Sequence, residues 1–464
     1  MTDLKLCIHG HFYQPPRENP FTGIIPDEPG AEPFKNFNEK IHDECYKPNA
    51  ELGNLDLISF NFGPTLAHWL EKRFPTTYGR TLAADRYHQR SFGVGNSMAQ
   101  AYNHTILPLA RKRDKTTQIA WGIADFCHRF GRMPEGMWLP EMAVDLETLM
   151  AMEGQGLRYT ILCSHQVRTT NGDWVDSTCP HYVRLPNGQQ FTVLLRDEEL
   201  SNRLAFDPGL TTDAARFARW CRDVADTSNG LFIIATDGET FGHHQPERQF
   251  FLRSLLRTES AKAGFEITTP ARYLQRHRPT REAIVIENTA WSCGHGVARW
   301  SIGCPCTPGD QQWKSRLRTA FDRLAGGVDA LYESKCQKWI DQPWKLRDSY
   351  INVLLGKIDG LDLLQQFSTE TIPTDNAICL LRLLEAQRYC QAMYTSCGWY
   401  FEDLSRIETR NSIGYAAMAV ELVGLATGVD LSSSFRSDLA AAKSWVTDET
   451  GRDIYDYIVV ERRI

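Results

Sequence analysis

The sequence predicts an α/β fold, with a parallel barrel over residues 1–280 and a mainly α-helical domain over residues 281–464. Three observations predict it. Strand-like and helix-like stretches alternate along the first part of the chain, the order that builds a parallel sheet clothed in helices. No glycine-rich dinucleotide fingerprint follows the first strand, which favours a barrel over an open sheet. Beyond residue 310 the apolar residues recur almost entirely at helical spacing.

Residues 4–12 read as the first strand, with His9 and His11 on one face because strand side chains alternate. Gln14-Pro15-Pro16 ends it, and residues 20–55, rich in Pro, Gly, Asn and Glu, read as a long loop walling a cleft. Residues 57–62 form the next strand, and 65–72 and 98–112 have helical spacing. Further strands are expected over 118–123, 159–162, 231–235 and 284–286, with a hairpin at Pro186-Asn187-Gly188. Helices are expected over 144–153, 211–225 and 246–263, then over 311–333, 348–358, 377–394, 412–425 and 433–445. The tail from residue 455 carries no clear pattern.

Charged residues make up 23% of the 464, with a net charge of −6 and only short basic clusters, so no nucleic-acid partner is expected. The N-terminus lacks a secretory pattern, and no run is long enough to span a membrane, so a cytoplasmic protein without a membrane partner is expected. Thirteen cysteines, an odd and scattered set, read as reduced thiols.

Two apolar runs break at a carboxylate: Gly136-Met137-Trp138-Leu139-Pro140-Glu141 and Leu231-Phe232-Ile233-Ile234-Ala235-Thr236-Asp237-Gly238-Glu239. Strand C-termini are where barrel enzymes carry their catalytic groups. Glu141 and Asp237 therefore suit a pair that cleaves a glycosidic bond, one ionised and one holding a proton. Each equally suits capping of a following helix. His9 and His11 read as sugar contacts, as buried hydrogen-bonded histidines, or as a partial metal site completed by Asp125 or Asp237. Cys293, His295, Cys304 and Cys306 are soft ligands without zinc-finger spacing. Packed thiols explain them as well, with Trp291 and His295 reaching the cleft. Trp399-Tyr400-Phe401 reads as a sugar-stacking lip or as interface packing.

At these residues the chain resembles glycoside hydrolase family 57, in the subgroup with a DUF3536-type helical domain. His9-Gly10-His11-Phe12-Tyr13-Gln14-Pro15 resembles its first motif, with two residues inserted before the Gln. His104-Thr105-Ile106-Leu107-Pro108-Leu109 is similar to the second region, and Trp138-Leu139-Pro140-Glu141 to the third motif. Asp237-Gly238-Glu239-Thr240-Phe241-Gly242 is similar to the fourth, and the Trp399 region is the candidate for the fifth.

The resemblance implies a (β/α)7 barrel, a distorted TIM-like form, with a helical domain completing the substrate cleft. It implies a retaining mechanism on α-glucans without metal or other cofactor. Glu141 is implied as nucleophile and Asp237 as general acid/base. His9, His11, Trp138, Glu239, His243, His244, Trp291, His295 and Trp399 are expected to line the substrate site. Two other readings stand beside this one. One is a metal-dependent carbohydrate deacetylase using His9 and His11; the other is a catalytically silent glycan-binding protein.

Overall fold

A computed structural model describes residues 3–225, 229–368 and 370–462. Seven strands build the barrel: β1 (Asp3–Phe12), β2 (Ser59–Phe62), β3 (Ala99–Gln100), β4 (Met137–Trp138), β5 (Tyr159–Cys163), β6 (Gln190–Arg196) and β7 (Asn229–Asp237). Pairing runs in chain order and every contact is parallel. β1 pairs β2 over His9–Phe12, β3 pairs β4, β5 pairs β6, and β7 returns to β1 along nine residue pairs. Bridges Phe60↔Ser97 and Gly136↔Tyr159 join the short central strands to their neighbours. Arg196↔Ile233 joins β6 to β7. The ring closes on itself, which is the (β/α)7 form that the resemblance implies.

The lower barrel is filled by Cys7, Ile161, Leu194, Leu231, Ile233 and Ala235, all buried. Inward residues of a closed barrel must be apolar where no water enters. At the C-terminal ends that filling gives way to His11, Asn61, Gln100, Trp138, Arg196 and Asp237. Registers such as His11↔Asn61 and His11↔Asp237 set these polar side chains at one level. The hairpin at residues 186–188 forms as expected, pairing His181–Arg184 antiparallel with β6.

Three expected elements differ. Residues 118–123, expected as a strand, lie inside a helix, Lys112–Phe130. Lys115, Gln118, Ile119, Gly122 and Phe126 are buried at helical spacing, so tertiary burial overrides local β propensity. Residues 98–112, read as helical, instead supply β3 and a short 3-10 turn, Leu107–Leu109. A strand of two residues is too short to display alternation. Residues 20–55, read as a loop, contain unbroken helical backbone over 37–52. Asn36 caps its start, Gly53 (φ 68°) ends it, and a π-turn over His42–Tyr46 lies in its middle.

The chain divides into two compact units, each of three segments: residues 1–14, 27–101 and 126–291, and residues 15–26, 102–125 and 292–464. The first holds the barrel. The second is helical, and its long elements are Gln312–Cys336, Thr374–Ala392 and Ile407–Thr427. On the first of these, Trp313, Leu317, Ala320, Phe321, Leu324 and Val328 form the buried stripe expected of an amphipathic helix. The tail also helices, over Gly451–Glu461, behind a Thr450–Asp453 capping box. Among the described residues no helix is long and apolar enough to cross a membrane.

Candidate active site

β4 ends at Trp138, and the chain turns through Leu139-Pro140 into Glu141, which sits in the left-handed region at φ 57°, ψ 19°. Met142 follows at φ 48°. A side chain in that region costs about 1–2 kcal/mol, and such strain gathers where a side chain must be aimed. Glu141 is not the cap of the following helix: Leu146–Glu153 is capped by Asp145, which accepts from the Thr148 N–H. Asp237 likewise makes no capping bond at the turn it opens. The capping alternative therefore fails at both positions.

Trp291 holds Glu141 twice. Its indole Nε1–H donates to Glu141 Oε2 at 2.9 Å, and its backbone N–H donates to the Glu141 carbonyl at 2.9 Å. The two carboxylates have unequal surroundings. Asp237 is pushed up to about 7, first by burial and then by the charge of Glu141, with Arg196 opposing. Arg196 is itself buried. Its Nε donates to the Ala235 carbonyl at 2.9 Å, its Nη2 to Asn202 at 2.8 Å, and its guanidinium lies 5.6 Å from the Trp291 ring centre.

Glu239 is 4% exposed and pushed up to about 8 by burial and by Asp237. Its Oε1 accepts from the Tyr46 hydroxyl at 2.6 Å and the Tyr13 N–H at 3.2 Å. The chain can turn back here because Gly242 holds φ 137°. A Cβ there would meet the Glu44 carbonyl oxygen at 2.2 Å.

His9 and His11 lie over one platform. Trp138 stacks on His9 at 4.7 Å and on His11 at 5.0 Å, with Trp291 edge-on to Trp138 at 5.3 Å. His9 uses both ring nitrogens, Nδ1 with Ser59 Oγ at 2.9 Å and Nε2 with Asn61 Oδ1 at 3.1 Å. That leaves it no lone pair for a metal. His11 Nδ1 lies 2.9 Å from Asn61 Nδ2, whose other N–H reaches Gln100 at 2.7 Å. Burial lowers His9 to about 4 and His11 to about 3, so both are neutral at pH 7.

The geometry corrects two expected sugar contacts. Trp138 is fully buried and serves as the floor under the two histidines. Trp399 is also fully buried, packed on Phe321, Tyr394 and Arg318 within the helical unit. A ring that stacks on a sugar needs an open face. His243 and His244 follow Glu239, their N–H groups bonding to its carbonyl at 3.0 and 2.9 Å. His243 Nδ1 pairs with Glu44 at 2.5 Å, while His244 is exposed. His295 belongs to the helical unit, beside three cysteines.

Asn61, Gln100, Arg196 and Tyr46 escape sequence reasoning. Asn61 is a polar residue inside an apolar run, a detectable anomaly. Arg196 ends a β-rich run, and nothing local marks Gln100 or Tyr46.

Residues 93–287 match the family described as "Glycosyl hydrolase family 57", and residues 310–464 match "Domain of unknown function (DUF3536)". The chain is 25% identical over 262 residues to alpha-amylase 1 of Dictyoglomus thermophilum. That match covers 53% of this chain but only 36% of the amylase, about a third of its length. An exo-type maltose-forming amylase from Pyrococcus sp. ST04 superposes with TM-score 0.74 at 15% identity, over 94% of this chain and 82% of that one. A GH57 branching enzyme from Thermococcus kodakaraensis gives 0.62 at 15% identity, over 97% and 96%. A 4-alpha-glucanotransferase from Thermococcus litoralis gives 0.56 at 16% identity, over 90% of this chain and 58% of that one. At such identities these structures speak for a common fold.

Proposed function

We propose that the chain, which matches glycosyl hydrolase family 57 over residues 93–287 and DUF3536 over residues 310–464, is a retaining enzyme acting on α-1,4-glucans. The reaction class is hydrolysis or glycosyl transfer, in keeping with the amylases, branching enzyme and glucanotransferase that it resembles. Glu141, ionised and aimed by Trp291, attacks the anomeric carbon. Asp237 gives its proton to the departing glycosidic oxygen, and the sugar is left bonded to Glu141. Asp237, now a carboxylate, takes a proton from water or an acceptor hydroxyl, which attacks and frees Glu141.

One observation carries this reading: two carboxyl groups at strand ends, the charge of Glu141 adding to burial to hold the proton on Asp237. Asp237 near 7 holds a proton in a large fraction of molecules at neutral pH. Neutral His11, held by Asn61, is the expected hydrogen-bonding partner of the sugar at the cleavage point, with His9 supporting it. Glu239, His243 and Trp291 are the further lining residues proposed.

The test is turnover of maltooligosaccharides, amylose and glycogen with product profiles. Glu141→Gln is expected to lower kcat by roughly 10³-fold or more, and Asp237→Asn by roughly 10²–10⁴-fold. Glu141→Gln with undiminished activity overturns the assignment. Shorter products mark hydrolysis, longer ones disproportionation, and new branches a branching activity.

A further inference from the structure

The loop from Ser292 to Gly309 in the helical unit gathers Cys293, His295, Cys304 and Cys306, whose ligand atoms all lie within 4.8 Å of one another. Cys293 Sγ lies 3.5 Å from Cys304 Sγ, 3.8 Å from Cys306 Sγ and 3.9 Å from His295 Nδ1. His295 Nδ1 lies 3.3 Å from Cys306 Sγ. Zinc bonds of about 2.3 Å to sulfur and about 2.0–2.1 Å to nitrogen place tetrahedral ligand atoms about 3.5–3.8 Å apart. Four of the six ligand pairs, at 3.3–3.9 Å, already lie close to that spacing. A disulfide would need sulfurs about 2.05 Å apart, and these three cysteines are free thiols.

The spacing, Cys-x-His and then Cys-x-Cys, is not that of a zinc finger, which is why sequence alone does not announce a site. Each pair nevertheless has a chelating turn. The His295 N–H donates to the Cys293 sulfur, and the Cys306 N–H to the Cys304 sulfur. Gly303, at φ 88°, closes the loop, and a Cβ there would meet Gln311 at 2.3 Å. Arg318 ties the loop down by donating to the Trp300 carbonyl at 2.7 and 3.0 Å.

The charges around the cluster carry the argument further. Arg299, buried and stacked 4.6 Å from the Tyr400 ring centre, donates to Cys304 and Cys306 but leaves Nε without a partner. Lys314 is fully buried with Nζ unpartnered, within electrostatic reach of Cys293 and Cys304. Glu402, an acid in range of Lys314, is partly exposed. Two buried cations with unmet donors call for buried negative charge. A divalent ion bound by three thiolates and a neutral imidazole carries a net charge of −1, and it supplies that charge.

A second group, Cys163, His165 and Glu198 in the barrel unit, does not share these features. There His165 spends both nitrogens, on Glu198 at 3.0 Å and the Ala290 carbonyl at 3.2 Å.

We propose that Cys293, His295, Cys304 and Cys306 form a closed structural zinc site that pins residues 292–309 of the helical unit. Binding releases three thiol protons to solvent and changes no oxidation state. A site with four protein ligands leaves no open position for catalysis, so this reading is independent of the barrel chemistry.

Metal content of the full chain purified in reductant without added metal is the test, read by elemental analysis. About one zinc per chain is expected, falling below about 0.2 in Cys304→Ser and in His295→Ala. Cys179→Ser, outside the cluster, is expected to keep it. Cobalt-loaded protein should display the intense visible bands of a tetrahedral thiolate site, a readout that stands even if the variants fold poorly. A metal-free chain with all thirteen cysteines titrating as free thiols overturns the proposal. So does a Cys293 disulfide, or iron in place of zinc.

Discussion

In the proposed mechanism Asp237 holds a proton when substrate arrives, and its acidity is set by burial and by two neighbours of opposite sign. Burial and Glu141 raise it to about 7, while Arg196 pulls the other way. The protonated fraction therefore falls as pH rises through about 7, and kcat/KM is expected to fall with it, tenfold per pH unit on the far side. A pH–rate profile on a maltooligosaccharide checks this. A flat profile from pH 6 to pH 9 would remove Asp237 as the acid. Arg196→Met is expected to move the falling limb to higher pH, because the opposing charge is gone.

Among the elements, the helix interrupted by a π-turn over His42–Tyr46 shows why a regular period can hide a functional segment. One extra residue in the turn shifts the helical face, and the shift delivers Glu44 to His243 and Tyr46 to Glu239. In the helical unit, Arg347 is fully buried on the helix Pro343–Ser349. It donates to Asp114 at 2.8 Å, Gln387 at 3.1 Å and Thr117 at 2.6 Å. Removing one partner of such a pair leaves buried groups uncompensated. Arg347→Ala is expected to cost roughly 3–5 kcal/mol, measured by urea unfolding. A loss under about 1 kcal/mol would mean that the network contributes little.

At the scale of the molecule, the site imposes a stability profile of its own. Asp237 and Glu239 rise from 3.8 and 4.5 to about 7 and about 8. Their contribution is complete below the unfolded values and is lost as pH rises through the folded ones. His9 and His11 fall from 6.5 to about 4 and about 3. Theirs is complete above 6.5 and is lost as pH falls toward the folded values. The two pairs offset each other between pH 5 and pH 6.5, and above that the acids alone act. Stability from the site is expected to be level across the first window and to decline from pH 6.5 to pH 8. Urea unfolding at pH 5.5 and pH 8 checks this, with Asp237→Asn and Glu239→Gln expected to reduce the decline. An unchanged decline in both variants would place its origin elsewhere. The sequence by itself determined the fold class, most helices of the second unit and the two acid-bearing turns, because period, glycine breaks and motif order are local properties. It also named His9 and His11, whose alternation puts them on one face. Only tertiary structure decided that β3 and β4 are strands at all, since two residues show no period until neighbours pair with them. It decided too that Trp138 and Trp399 are packing residues, that Asn61 and Arg196 belong with the acids, and that four scattered soft ligands meet. Burial and charge are sums over residues far apart in the chain, so no window of sequence contains them.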